Sequence, residues 1–149
     1  MENRGRILAW DTDSKRLGQM KPRIGRAGVS NVQMRLLKSE RDNVVKRHCG
    51  TADWVLLDVP CTGTGTWRRN PDLRRRTTPR DLEEAQELQR TILESASGLV
   101  KSGGRLVYAT CSILPSENEE QLEIFISEHK EFALDEPFLR LYPHTDHTD

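Results

Sequence analysis

Two cysteines and one aspartate stand in this sequence where a side chain can do chemistry. Asp58 and Cys61 close the run Trp54-Val-Leu-Leu-Asp58-Val-Pro-Cys61, and Cys111 closes Gly103-Gly-Arg-Leu-Val-Tyr-Ala-Thr-Cys111. A thiolate is a strong nucleophile, but a free thiol of pKa about 8.5 is only roughly 3% ionised at pH 7, so a working one needs activating surroundings. A nearby carboxylate can hold a reacting base or share a proton with it. Gly63 and Gly65 allow close approach of backbone to a ligand. Arg68, Arg69, Arg74, Arg75, Arg76 and Arg80 follow, and read as one basic loop suited to phosphates. With three cysteines and no C-x-x-C, the chain shows neither a disulfide framework nor a zinc motif. Cys49 matches nothing, and His144 and His147 lack the further ligands a metal needs.

These side chains need elements to present them. Four apolar residues bounded by polar ones, Trp54 to Leu57, predict a strand buried on both faces, as in a parallel sheet. Pro60 cannot donate to a strand ladder and stops it. Gly103 to Ser112 reads as a turn, a second strand and then the second thiol. If the two strands are parallel neighbours, both thiols and Asp58 lie along one rim, at the carboxyl ends where α/β sheets bind ligands. The sulfurs should then face one cleft within about 12 Å, allowing a few Å for loop motion.

Upstream, Gly5 to Asp11 predicts a short strand ending in an acid. Ser14 to Ala27 predicts a helix burying Leu17 and Ile24, weakened by Gly18 and Pro22, with Gly28 ending it. Val29 to Leu37 suits a second strand, and Lys38 to Gly50 a solvated loop. Pro79-Arg-Asp81 begins the clearest helix, with Leu82, Ala85, Leu88, Ile92, Ala96 and Leu99 at three- and four-residue spacing. Lys101 to Gly104 ends it. Ser116 and Glu119 stand at capping-box spacing for a helix with Leu122, Phe125 and Ile126 on its core face. Phe132 to Leu134 suits a last strand. Strands alternating with helices predict α/β with a parallel sheet.

The length of 149 residues fits one domain. No apolar run approaches the roughly 18 residues that span a bilayer, and the start is not a signal peptide, so a cytoplasmic protein is expected. A net charge of +0 hides an asymmetry: residues 1–50 carry 12 Lys/Arg against 5 Asp/Glu (12 − 5 = +7), and residues 101–149 carry 4 against 10 (4 − 10 = −6).

The motifs Asp58-Val-Pro-Cys61-Thr-Gly-Thr-Gly, Arg68-Arg69-Asn-Pro71-Asp72 and Tyr108-Ala-Thr-Cys111-Ser-Ile-Leu-Pro115-Ser-Glu117-Asn118 resemble the Sun/Fmu-type (RsmB-like) RNA cytosine-5 methyltransferases. The match runs from about Gly5 to Glu120. The resemblance implies a Rossmann-like class I methyltransferase domain, S-adenosyl-L-methionine as cofactor and RNA, ribosomal or transfer, as partner. By it, Cys111 is the nucleophile, Cys61 assists proton removal and product release, and Asp58 holds the base. Asp11, Asp58 and Pro60 fall on the cofactor side, Asp11 at the ribose, while Arg68, Arg69, Arg74 and Arg75 face RNA. An adenine-contacting acid near Leu36–Glu40 is not evident. The family's loop Asp-x-Cys-Ala-Ala-Pro-Gly-Gly-Lys would lie about 20 residues ahead of Gly5, after a first strand that opens such sheets. A closing Gly-Phe-Phe strand would follow Leu139 to Asp149. The expectation is therefore a partial catalytic domain, without its first and final strands, that binds the cofactor poorly. The alternative is a non-catalytic RNA-binding remnant using the arginine loop. A thiol redox protein suits the 50-position separation of the motif cysteines less well.

Overall fold

The structure is a computed structural model that describes residues 2–135 and 138–141. Two compact units make up the chain, Met1–Arg47 and His48–Asp149. Each is described by itself.

In the first unit, β1 (Ile7–Asp11) pairs in parallel with β2 (Val32–Leu36), from Ile7 opposite Val32 to Asp11 opposite Leu36. The connection is α1 (Ser14–Arg26), started by Asp13, whose carboxylate accepts from the N–H groups of Lys15 and Arg16. The helix runs on through Gly18 and Pro22, residues that disfavour helix by about 1 and 3 kcal/mol. The Asp13 cap and the half-buried stripe Leu17, Met20 and Ile24 work against that penalty. Gly28 follows at φ +63°, where a side chain would be strained. The expected loop from Lys38 to Gly50 instead contains α2 (Asn43–Arg47), with Val44 and Val45 buried. Asp42 starts it, accepting from the N–H groups of Val44 and Lys38, which holds its carboxyl below the usual range.

In the second unit, β3 (Ala52–Asp58) pairs in parallel with β4 (Val100–Ala109). Between them run α3 (Pro71–Arg76) and α4 (Pro79–Ser97). Thr78 and Asp81 cap α4 reciprocally. The helix buries Leu93 (1% exposed), Gln89 and Ala96, so its inward face is centred on Gln89 and Leu93 rather than on the wider stripe expected. Leu99 lies beyond it. Lys101 to Gly104 does not separate helix from strand: these residues belong to β4, where Ala52 stands opposite Val100 but Trp54 opposite Arg105. That bulge puts Gly103 at φ +75°.

β3 is not buried on both faces. Val55 and Leu57 turn inward beside Leu106 and Tyr108, whereas Trp54 and Leu56 are 65% and 70% exposed. α4 packs on the sheet, and an alternating strand covered on one face leaves its other residues to solvent. There the Arg105 guanidinium lies 5.3 Å from the Trp54 ring centre. Among the described residues β1–β2 and β3–β4 each form a two-stranded parallel sheet.

The last helix, α5 (Glu119–Glu128), buries Gln121 and Phe125 and half-buries Leu122 and Ile126. Its capping box does not form: Pro115–Glu117 is a 3-10 turn, and the Ser116 carbonyl accepts from Gln86 and Gln121 instead. Phe132 to Leu134 forms no strand, and the Phe132 ring packs 5.3 Å from that of Phe125. The closing-strand resemblance and His144 and His147 fall largely or wholly on residues outside those described.

His129 joins this region by both ring nitrogens, Nε2 to Glu94 at 2.9 Å and Nδ1 to Glu131 at 3.0 Å, and stacks on Phe125. Only the imidazolium donates from both nitrogens. The Glu94 hydrogen bond raises the His129 pKa; burial opposes it, and the Glu131 hydrogen bond adds to the rise. A raised folded-state value contributes stability that is full below about pH 6.5 and lost as pH rises through the folded pKa. The thermal midpoint is expected to fall by about 2–5 °C between pH 6 and 8, a typical response of a domain this size to losing one such contact. His129→Ala should remove that slope; an unchanged pH profile in the variant would refute the assignment.

Candidate active site

The two motif cysteines meet. β3 ends at Asp58 opposite Ala109, and each chain then leaves the sheet on the same side, bringing the Cys61 and Cys111 sulfurs to 3.3 Å. Cys111 is exposed and Cys61 half-buried. Burial first, and then the contact with Cys111, push the Cys61 thiol up to about 12. Cys61 therefore stays a protonated thiol at neutral pH, and either sulfur can donate to the other.

Side-chain hydroxyls stitch the two loops together. Gly65 N–H donates to the Cys111 carbonyl at 3.0 Å, and Ile113 N–H donates to Thr64 Oγ1 at 2.9 Å. Thr64 Oγ1 and Ser112 Oγ share a hydrogen at 2.9 Å, while Ser112 Oγ accepts from Leu114 N–H. Gly63 sits at φ +68°, and a 3-10 turn, Thr64–Thr66, follows it. A Cβ on Gly65 would lie 2.8 Å from the Cys111 carbonyl oxygen. That close approach requires glycine.

Beneath the thiols lies a fully buried carboxylate, Glu117, together with Gln89. Glu117 Oε1 accepts from Thr62 N–H at 2.9 Å and from Gln89 Nε2 at 3.0 Å, and Oε2 accepts from Thr62 Oγ1. Gln89 Nε2 also donates to the Pro60 carbonyl at 2.9 Å. Two acceptors on one side determine which way the Gln89 amide points. The Tyr108 hydroxyl donates to the Glu117 carbonyl at 2.9 Å. Burial, then the charge of Glu117, raises the Tyr108 phenol well above its ordinary value, so it remains a neutral donor.

Asp58 is exposed at the end of β3, opposite Ala109. Arg68 and Arg69 are exposed after the 3-10 turn. The remaining arginines are not in one loop: Arg74, Arg75 and Arg76 form the last turn of α3, which Pro71 starts, and Arg80 opens α4 paired to Glu84 at 2.8 Å. Basic residues there complement the negative end of the helix. Arg74 also lies 5.9 Å over the Trp67 ring. Asp11 belongs to the first unit, where its Oδ1 accepts from Asp13 N–H at 2.8 Å.

A family model described as 16S rRNA methyltransferase RsmB/F matches residues 1–149. The chain belongs to that family. Among RsmB/F relatives, a probable ribosomal RNA small subunit methyltransferase B of Synechocystis sp. is 40% identical over 141 residues, covering 93% of the chain and 30% of the relative. The methyltransferase B of Pectobacterium atrosepticum is 38% identical over 152 residues, covering 96% and 34%. The chain thus spans about a third of the length of these relatives. Of solved structures, that of PH0851 has a TM-score of 0.81 at 41% identity over 87% of the chain and 29% of that protein. NSun6 from Pyrococcus horikoshii, solved with SFG, a SAM analogue, has a TM-score of 0.75 at 29% identity over 97% of the chain and 39% of that protein. The chain shares with these structural neighbours the Rossmann-like α/β fold with parallel strands that the motifs led one to expect.

Sequence reasoning gave Glu117, Gln89 and Asn118 no part in the thiol cluster. Glu117 and Asn118 stood in the quoted motif without a role, and Gln89 was not singled out. The signal lay in Gln89 itself, a polar residue in the middle of an apolar stripe, which buried needs a partner.

Proposed function

We propose that this chain is catalytic sequence of an enzyme that methylates carbon 5 of a cytosine in ribosomal RNA through a covalent cysteine adduct, and that both units belong to one partial catalytic domain. The observation that carries this reading is the 3.3 Å contact between two thiols at the carboxyl ends of neighbouring parallel strands. Membership of the RsmB/F family supports RNA as the substrate and a cytoplasmic setting. An RNA-binding remnant would have no use for the thiol pair.

Carbon 5 of cytosine is a poor nucleophile. Cys111, the exposed thiol, adds to carbon 6, and electron density passes to carbon 5 and ring nitrogen 3. Asp58, exposed on the same rim, takes up the proton that the Cys111 thiol releases, shares it with nitrogen 3 as charge builds there, and receives it back when Cys111 leaves. S-adenosylmethionine, when bound, supplies the methyl group to carbon 5. Asp11 suits its ribose, since a carboxylate at a strand's carboxyl end with one oxygen uncommitted accepts from a diol. Cys61, having shed its own proton to solvent, then takes the proton from carbon 5; the carbon 5–carbon 6 double bond re-forms and Cys111 leaves. The exposed guanidiniums of Arg68, Arg69, Arg74 and Arg75 hold phosphates, offsetting the few kcal/mol needed to unstack the target base.

The test is the product. In a full-length relative carrying this chain at the matching positions, nucleosides from methylated RNA should be 5-methylcytidine; a methyl group on an exocyclic nitrogen or on ribose would overturn the reading. Adduct release has its own signature. In the adduct Cys111 is a thioether, so its contact no longer raises Cys61, but burial still does. The ionised fraction of a thiol below its pKa rises tenfold per pH unit, so release is expected to quicken about tenfold per unit from pH 7 to 9. Quenched-gel adduct lifetimes independent of pH would rule out Cys61 as the base.

A further inference from the structure

One turn, Pro115 to Asn118, holds both thiol loops, and no step above uses it. Glu117 is 0% exposed, and a buried carboxylate is tolerated only when hydrogen-bonded throughout. Its acceptors take the N–H and hydroxyl of Thr62, immediately after Cys61. Through Gln89 it is linked to the Pro60 carbonyl, immediately before Cys61. The backbone is thus tied on both sides of one sulfur. The next residue does the same for the other. Asn118 Nδ2 donates to the carbonyls of Ser112 at 3.0 Å and Leu114 at 2.8 Å, and its Oδ1 accepts from Thr110 Oγ1 at 2.6 Å. Those partners bracket Cys111. Tyr108 anchors the turn to the end of β4 through the Glu117 carbonyl.

We infer that Glu117 and Asn118 are positioning residues which together set the separation of the Cys61 and Cys111 sulfurs. Being adjacent in one turn, they cannot move independently, so the two loops they hold are kept in register with each other although 50 positions apart in sequence. The inference rests on the proposed reading of these thiols as the reacting pair, but the separation itself is measurable without RNA or cofactor.

The experiment uses the 149-residue chain with Cys49→Ser, so that only the pair reacts, and 4,4′-dithiodipyridine as the oxidant. The first thiol displaces one thiopyridone and forms a mixed disulfide. The second thiol attacks that disulfide, displaces the second thiopyridone and closes a Cys61–Cys111 bond; the reagent takes both electrons, and the two thiol protons end on the ring nitrogens of the two thiopyridones. The second release is first-order and reads the spacing, whereas the first reads only access. Glu117→Asp keeps the charge but shortens the reach by one methylene. It should slow the second release by about tenfold or more and leave the first within about threefold, the scale expected of a misplacement near 1 Å. Asn118→Ala should do likewise. Glu117→Gln keeps the reach, since its amide oxygen still accepts from Thr62 N–H and its amide nitrogen can donate to the Thr62 hydroxyl, so it should stay near the parent rate. If Glu117→Asp does not fold, Thr62→Val deletes one hydroxyl from the same clamp and is expected to slow the second release about threefold. Second-release rates equal to the parent in Glu117→Asp (or its Thr62→Val substitute) and Asn118→Ala would overturn the inference. So would equal slowing in Glu117→Gln and Glu117→Asp, because charge rather than reach would then matter. A wrong methylation product would sink the functional reading and leave this result standing.

Discussion

In a full-length relative carrying this chain, Cys61→Ala is expected to accumulate a covalent protein–RNA adduct that survives a denaturing gel, while Cys111→Ala shows no adduct and loses methyl transfer by about 10⁴-fold or more. The asymmetry follows from the steps each thiol serves. Without Cys111 nothing in either loop can attack carbon 6, since the neighbouring hydroxyls of Thr64 and Ser112 are weak nucleophiles already engaged with each other. Without Cys61, addition and methylation proceed, but the proton on carbon 5 has no acceptor, and turnover drops by about 10²–10⁴-fold as befits loss of a general base. Exposure points the same way. The exposed sulfur is the one a base can reach, and the half-buried one, pushed up to about 12, is the stronger base once ionised. An adduct with Cys111→Ala but not with Cys61→Ala would reverse the two roles.

Gly65→Ala is expected to be nearly as damaging, although no reacting atom is removed. The new Cβ would lie 2.8 Å from the Cys111 carbonyl oxygen and 3.4 Å from Ile113 Cγ2. The first neighbour is backbone and cannot swing aside as a flexible side chain would. It also accepts the Gly65 N–H, so relieving the clash breaks a hydrogen bond that joins the two loops. The Cys111 backbone must therefore shift, and with it the sulfur. Turnover should drop by about 10²-fold. Overpacking of this kind costs about 1–3 kcal/mol in stability, readable by denaturant titration. A variant with both properties unchanged would mean that the loops yield more freely than their hydrogen bonds suggest.

The meeting of the thiols was legible because it depends on topology: a strand, a long amphipathic helix and another strand make parallel neighbours, and residues just past both strands share a rim. The faces of β3 were not. Trp54-Val-Leu-Leu carries no polar residue to mark the uncovered side, so a strand covered on one face looks the same as one covered on both. Arg74 to Arg76 looked like loop because α3 is little more than one turn, too short for an apolar period to show. α2 hid for the same reason, with Asp42 as its one local mark. Glu117 was visible in the motif Pro115-Ser-Glu117-Asn118, but its partners Thr62 and Gln89 are 55 and 28 positions away. No local pattern predicts such a pairing.

The order in which the second unit can assemble follows from its parallel pairing. Helix α4 can form from its own residues, with the Thr78–Asp81 cap in place at its start. The thiol site cannot. It exists only after β4 has come round to lie beside β3, a closure whose entropy must be met before any contact rewards it. Until then Cys61 and Cys111 are two separate thiols on an unfinished chain. In the second unit, then, the thiol pair can come together only once that closure is made.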